Sequence, residues 1–167
     1  GYGGSTPFDA ETPMVGDYVE TIARFLDALE IDRVHFVGHS LGTIHACAFH
    51  KRFSDRLYSM TLAQAVVGSG RLGAEEKATR NAERVALVNR LGAKGFAEHH
   101  TPRSLSADAP PELVARATEF AATMQPAGYL QAFRALTEAD IYAEITPLRV
   151  PAMIVAGSDD RTASEQT

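Results

Sequence analysis

The stretch that decides the fold is Val34-His35-Phe36-Val37-Gly38-His39-Ser40-Leu41-Gly42-Thr43. It opens with a short apolar run that ends at a glycine, which predicts a buried β-strand. The residues from Leu41 to Lys51 predict a helix, and several of them are small enough for close packing on a sheet. Ser40 is therefore expected on a tight turn that joins a strand to a helix.

The glycines at positions 38 and 42 fit such a turn. We expect strained backbone at Ser40, and we expect that a side chain at Gly38 or at Gly42 would collide with neighbouring backbone. A Gly-x-Ser-x-Gly pattern between a strand and a helix is typical of a nucleophile elbow, so Ser40 is the candidate nucleophile. The amide of Leu41, at the positive end of the helix, is the candidate oxyanion donor.

Helices and strands alternate on both sides of this turn. A helix is predicted to begin near Thr12-Pro13, with an apolar face that consists of Tyr18, Ile22, Phe25, Leu26 and Leu29. A second strand is predicted over 58–67 and a third over 152–156. Four helices are predicted between them, over 75–91, 93–99, 111–124 and 126–137. This alternation predicts a parallel α/β sheet.

The order of elements also predicts how the chain is divided. Residues 1–67 form a core segment with the elbow, and residues 68–140 form a helical cap over the sheet. Residues 141–167 return to the core with a further strand and the loop that follows it. The absence of an initiator Met at Gly1 predicts either that the N-terminus has been removed or that this sequence is a piece of a longer protein.

Charge and cysteine content bear on partners and location. The formal net charge of −5 argues against a nucleic-acid partner, which requires a concentrated basic patch. Cys47 is the sole cysteine, so neither an internal disulfide nor a cysteine-based metal site is predicted. No apolar run reaches membrane-spanning length, and we expect a cytoplasmic protein without metal or cofactor.

Several stretches resemble the α/β-hydrolase superfamily. The elbow resembles that family's own, the opening Gly1-Tyr2-Gly3-Gly4-Ser5 is similar to the loop after its fourth strand, and residues 150–157 resemble its strand seven. The resemblance implies a mostly parallel sheet with a helical cap inserted between strands six and seven. Residues 125–129 and 137–140 are similar to those of 3-oxoadipate enol-lactonases and related small esterases.

The resemblance also nominates a catalytic acid. In this family the chain order is nucleophile, acid, histidine, and the acid follows strand seven in a Gly-x-x-Asp pattern. Gly157-Ser158-Asp159-Asp160 fits that pattern and nominates Asp160. Asp159 is the alternative, and an aspartate pair that merely caps a turn is the structural alternative.

The base is not found among the six histidines, all of which precede Asp160. His35 and His39 belong to the strand and the turn, and the pair His99-His100 is expected to be solvated rather than to bind a metal. The catalytic histidine and the second oxyanion donor are therefore expected outside residues 1–167.

The favoured hypothesis is a serine hydrolase that cleaves a small-molecule carboxylic ester or lactone through an acyl-enzyme on Ser40. Its cap would supply the substrate pocket, and Phe120, Met124, Tyr129 and Phe133 are the candidate lining residues. The alternative, which apolar residues at helical spacing favour, is that these four side chains are simply core. The alternatives are cofactor-free haloperoxidase or oxygenase chemistry on the same fold, and a non-catalytic hydrolase-like binding module. The oligomeric state is left open.

Overall fold

The computed structural model describes residues 3–10, 12–158 and 160. Its α-helices are, in chain order, α1 (Val15–Ala28), α2 (Leu41–Phe53), α3 (Ala74–His100), α4 (Pro111–Ala121), α5 (Pro126–Glu138) and α6 (Ile141–Glu144). Its strands are β1 (Val34–His39), β2 (Leu57–Ala63) and β3 (Ala152–Val155). Every predicted helix and strand is present, although β2 ends at Ala63 rather than at Val67. The short α6 has no counterpart in the prediction.

The three strands form a parallel sheet in the order β1-β2-β3. His39 at the end of β1 lies opposite Ala63 at the end of β2, and Ala63 lies opposite Val155 at the end of β3. The residues that follow the three strands therefore lie at one edge of the sheet. The prediction of a parallel α/β sheet is confirmed.

The sheet belongs to a compact unit formed by Pro13–Arg71 and Ala135–Thr167, called the sheet unit below. Within it, α2 packs on β1 and β2, and α1 packs on α2. Its core includes side chains with no exposed surface, namely Val19, Ile44, Phe49 and Leu57. Burial of each such side chain stabilises the fold by about 1.5–3 kcal/mol.

The predicted apolar face of α1 is correct in part, since Leu26 is buried and Ile22 packs against the core. Phe25 and Leu29 are 60% and 52% exposed, and the buried residues are Val15, Val19, Ala23 and Leu26. These recur every three or four residues, so the helical period is right. The buried stripe consists mainly of valine and alanine, and Phe25 and Leu29 lie outside it.

A second compact unit, called the helical unit below, consists of Gly1–Thr12 and Leu72–Arg134. Its long helix α3 bends at Gly92, which has a φ of 65° and a ψ of 178°. That bend is the break predicted between residues 91 and 93. The buried side chains of Val88, Phe96 and Met124 form its core.

Two glutamines tie the opening loop to this helical unit. The carboxamide of Gln125 donates to the carbonyl oxygen of Gly3 at 2.9 Å, and that of Gln131 donates to Ala10 at 2.9 Å. Residues 72–134 fall inside the segment 68–140 expected as a cap, and the placement of that cap over the sheet stays a prediction. Within the residues described, no helix is both long and apolar enough to cross a membrane.

Candidate active site

Ser40 lies directly after β1 and directly before α2, on a turn with strained backbone. It has a φ of 53° and a ψ of −121°, and a non-glycine residue in such a sparsely populated region costs about 1–3 kcal/mol. Its main-chain N–H donates to the carbonyl of Ala63 at 3.1 Å, which ties the turn to the end of β2. The backbone at Ser40 is thus the strained turn expected from the sequence.

Gly38 provides the space that this turn needs. It is buried, and a Cβ built on it would lie 2.2 Å from the carbonyl oxygen of Gly42 and 2.9 Å from the main-chain nitrogen of Thr43. No real Cβ approaches backbone atoms so closely. Glycine is therefore required at position 38 because the chain passes against itself there.

Gly42 does not behave as the sequence predicted. Within the part of the chain that the structure describes, a Cβ built on Gly42 meets no heavy atom within 4 Å. The expected collision at this position is wrong. The close approach places the carbonyl oxygen of Gly42 against Gly38, and the side-chain direction of Gly42 itself faces open space.

Thr43 holds the turn from the helix side, and no sequence pattern singled it out. Its main-chain N–H and its Oγ1 both donate to the carbonyl of Ser40, at 2.9 and 2.7 Å. The same Oγ1 accepts from the N–H of Val66 at 3.4 Å, and the side chain is fully buried. A hydroxyl residue three positions after the serine, able to bond back to its carbonyl, is the signal that sequence analysis could have used.

Leu41 is the first residue of α2, and first-turn amides of a helix have no partner within it. The first turn of α2 carries no acidic side chain, and its last turn carries His50, Lys51 and Arg52. The charges of Lys51 and Arg52 complement the helix dipole and leave the N-terminal end electropositive. An amide in this position is able to stabilise a negative charge placed next to Ser40.

Asp160 lies in a turn after β3, where its N–H donates to the carbonyl of Gly157 at 3.2 Å. Its side chain is partly buried. The alternative acid, Asp159, lies outside the described residues. Because the sheet is parallel, the turn of Ser40 and the turn of Asp160 lie at the same sheet edge, after strands that flank β2.

Two histidines of the sheet unit make structural contacts. The Nδ1 of His35 lies 2.8 Å from the hydroxyl of Ser59. The Nε2 of His50 accepts from the N–H of Arg149 at 3.1 Å, and its Nδ1 lies 3.2 Å from Thr146 Oγ1. Burial and the charge of Arg149 lower the pKa of His50, which favours the neutral ring that these contacts require. Neither ring contacts Ser40.

His45 and the histidine pair have other surroundings. The ring of His45 stacks on Tyr18 with centroids 4.9 Å apart, and burial lowers the pKa of His45 to about 4. Burial, helped by Asp17, raises the pKa of Tyr18 to about 12. In the helical unit, His99 contacts Arg103 and His100 contacts Ser104. These contacts join neighbouring turns of the same segment.

The four apolar residues considered for a pocket differ in environment. Phe120 is 80% exposed, whereas Met124 is buried in the core of the helical unit. The hydroxyl of Tyr129 accepts from Arg84 at 2.8 Å, and the guanidinium of Arg84 lies 4.4 Å from the ring centre of Phe133. Met124 is therefore a core residue, as helical spacing allowed, and Tyr129 and Phe133 surround a cation.

Comparisons with known proteins agree with this geometry. A family model described as the alpha/beta hydrolase fold matches residues 1–167. The chain is 31% identical over 142 residues to 3-oxoadipate enol-lactonase 1 of Acinetobacter baylyi, covering 84% of this chain and 52% of that protein. It is 33% identical over 159 residues to 2-hydroxy-6-oxo-2,4-heptadienoate hydrolase of Pseudomonas putida, covering 92% and 56% respectively.

A solved structure of similar architecture is that of a hydrolase from Pseudomonas aeruginosa. The TM-score is 0.74 at 26% sequence identity, and the match covers 99% of this chain and 63% of that one. The chain spans about half the length of the curated relatives it matches. The parallel sheet and the strained turn at Ser40 agree with the family match over residues 1–167. The chain belongs to the alpha/beta hydrolase fold family.

Proposed function

We propose that the protein containing this chain is a serine hydrolase that cleaves a carboxylic ester or lactone through an acyl-enzyme on Ser40. The observation that carries the proposal is the backbone of Ser40, with its φ of 53°. A serine that only capped α2 would adopt extended backbone and bond its hydroxyl to a first-turn amide. Ser40 has neither feature, since its side chain makes no capping hydrogen bond.

The proposed reaction has two steps. Ser40 Oγ attacks the carbonyl carbon as a base takes its proton, and the amide of Leu41 donates to the resulting oxyanion. Collapse of this intermediate expels the alcohol or enol oxygen, which takes up the proton, and leaves an acyl group on Ser40. Water then attacks the acyl-enzyme, which releases the carboxylic acid and restores the serine hydroxyl.

Asp160 is proposed as the acid of this site. A carboxylate in that role holds a histidine base in the correct tautomer and stabilises it when it becomes cationic. Its position after β3, at the sheet edge that also carries Ser40, supports the assignment. The base and the second oxyanion donor are not assigned to residues of this chain.

The substrate class is proposed from chemistry and from the names of relatives. One relative is named 3-oxoadipate enol-lactonase, so a small enol-lactone is a suitable first substrate besides a simple ester. We propose that the helical segment within 68–140 forms a cap that supplies the substrate pocket.

The test uses full-length protein, a short-chain p-nitrophenyl ester and a simple enol-lactone. Ser40→Ala is expected to lower kcat by a factor on the order of 10⁶, to the background rate. Ser59→Ala is the matched control, because Ser59 lies on β2 and contacts His35, and it should retain full activity. Turnover of Ser40→Ala within tenfold of the parent would overturn the proposal.

A further inference from the structure

Gln64 occupies the same position relative to β2 as Ser40 does relative to β1. Each residue directly follows its strand and has a positive φ, 50° for Gln64 and 53° for Ser40. Each donates its N–H to the last residue of the next strand, Gln64 to Val155 at 2.8 Å and Ser40 to Ala63 at 3.1 Å. Among the described non-glycine residues, Glu30 is the one other with positive φ.

The side chain of Gln64 extends this connection to the turn that carries Asp160. Its Oε1 accepts from the N–H of Gly157 at 2.9 Å, beyond the end of β3 at Val155. A Cβ built on Gly157 would lie 2.9 Å from Gln64 Nε2, so the two residues are in close contact. The carbonyl of Gly157 in turn accepts from the N–H of Asp160 at 3.2 Å.

We propose that Gln64 is a positioning residue, which fixes the turn of Asp160 and thereby the orientation of the catalytic acid. The inference rests on the proposed function of Ser40 and Asp160. β3 is four residues long and its pairing with β2 ends at Val155, so the hydrogen bonds of the sheet do not extend to the turn that follows it. The Gln64 carboxamide supplies a hydrogen-bond acceptor to Gly157 at the point where pairing between strands has stopped.

The main test variant is Gln64→Met in the full-length protein, which keeps the side-chain length and removes the acceptor. We expect kcat for the p-nitrophenyl ester to fall about 100-fold with KM nearly unchanged, because a misplacement of about 1 Å has an effect of that size. Glu30→Met is the matched control, since Glu30 shares the left-handed backbone and is exposed. Its kcat should stay within twofold of the parent.

A conservative variant separates positioning from a merely structural role. Gln64→Glu keeps an oxygen that accepts from Gly157, so kcat should recover at least tenfold over Gln64→Met. The new carboxylate adds a negative charge beside the turn of the acid, which stabilises the protonated form of a histidine base and should move the acid limb of the pH profile to higher pH. In Gly157→Ala the new Cβ displaces the Gln64 carboxamide, so kcat should fall as it does in Gln64→Met. This variant tests the same contact if Gln64→Met does not fold.

The outcomes distinguish this inference from the proposed function. If Ser40→Ala and Asp160→Asn are inactive while Gln64→Met and Gly157→Ala keep kcat within threefold of the parent, the positioning role alone is overturned. If Gln64→Glu is as impaired as Gln64→Met at every pH, the role is also overturned. Activity in Ser40→Ala or Asp160→Asn would overturn the proposed function and this inference together.

Discussion

The strand side and the helix side of the Ser40 turn hold the serine in different ways. On the strand side, buried Gly38 leaves no room for a Cβ against the backbone of Gly42. On the helix side, Gly42 has open space at its own Cβ position, and Thr43 fixes the turn with two hydrogen bonds to the Ser40 carbonyl. The two glycines of one motif are therefore unequal, and the pattern alone does not say which one packing requires.

The largest expected effect is that of Gly38→Ala. Its methyl group would lie 2.2 Å from the Gly42 carbonyl oxygen, so the strand and the helix must separate. We expect the free energy of unfolding to fall by about 3 kcal/mol, with loss of ester hydrolysis. Urea unfolding of the full-length protein measures this. A loss below 1 kcal/mol would contradict the account of the strand side.

An intermediate effect is expected for Thr43→Val, which keeps the shape of the side chain and removes its hydroxyl. The Ser40 carbonyl loses one donor and the buried N–H of Val66 loses its acceptor, which should cost about 1–3 kcal/mol. Thr21→Val is the matched control, because Thr21 also bonds a carbonyl of its own helix but is exposed. Equal unfolding free energies for the two variants would contradict the claim that the Thr43 hydroxyl stabilises the turn.

The smallest effect is expected for Gly42→Ala. The Cβ enters open space in the first turn of α2, and alanine favours helix by up to about 1 kcal/mol over glycine. Stability should stay equal or rise slightly, and kcat should remain within a few-fold of the parent. Thermal unfolding and ester hydrolysis measure both. A loss of unfolding free energy as large as that of Gly38→Ala would contradict the difference between the two glycines.

Much of the fold could be predicted from the sequence because its signals are local. Three consecutive elements each have a distinct local pattern: an apolar run for β1, flanking glycines for the turn at Ser40, and small residues for α2. The break of α3 at Gly92 and the turn of Asp160 after β3 were likewise predicted from nearby residues. The parallel direction of the strands was predicted from the alternation of helices and strands.

The features that sequence analysis missed depend on how distant backbone segments approach one another. The contact of Gln64 with Gly157 joins positions 93 residues apart, and no periodicity records such a contact. The open space at Gly42 and the buried role of Thr43 depend on the path of the chain through the turn. The buried stripe of α1 depends on its approach to α2, which an apolar pattern alone does not specify.

The most direct test of the central claim is to label the full-length protein with a fluorophosphonate and to map the adduct by peptide mass spectrometry. We predict one adduct, on the peptide that contains Ser40, at a rate that Ser59→Ala leaves unchanged. Ser40→Ala should abolish the labelling. An adduct on a different serine, or hydrolytic turnover by protein that acquires no adduct, would contradict the assignment of Ser40 as the nucleophile.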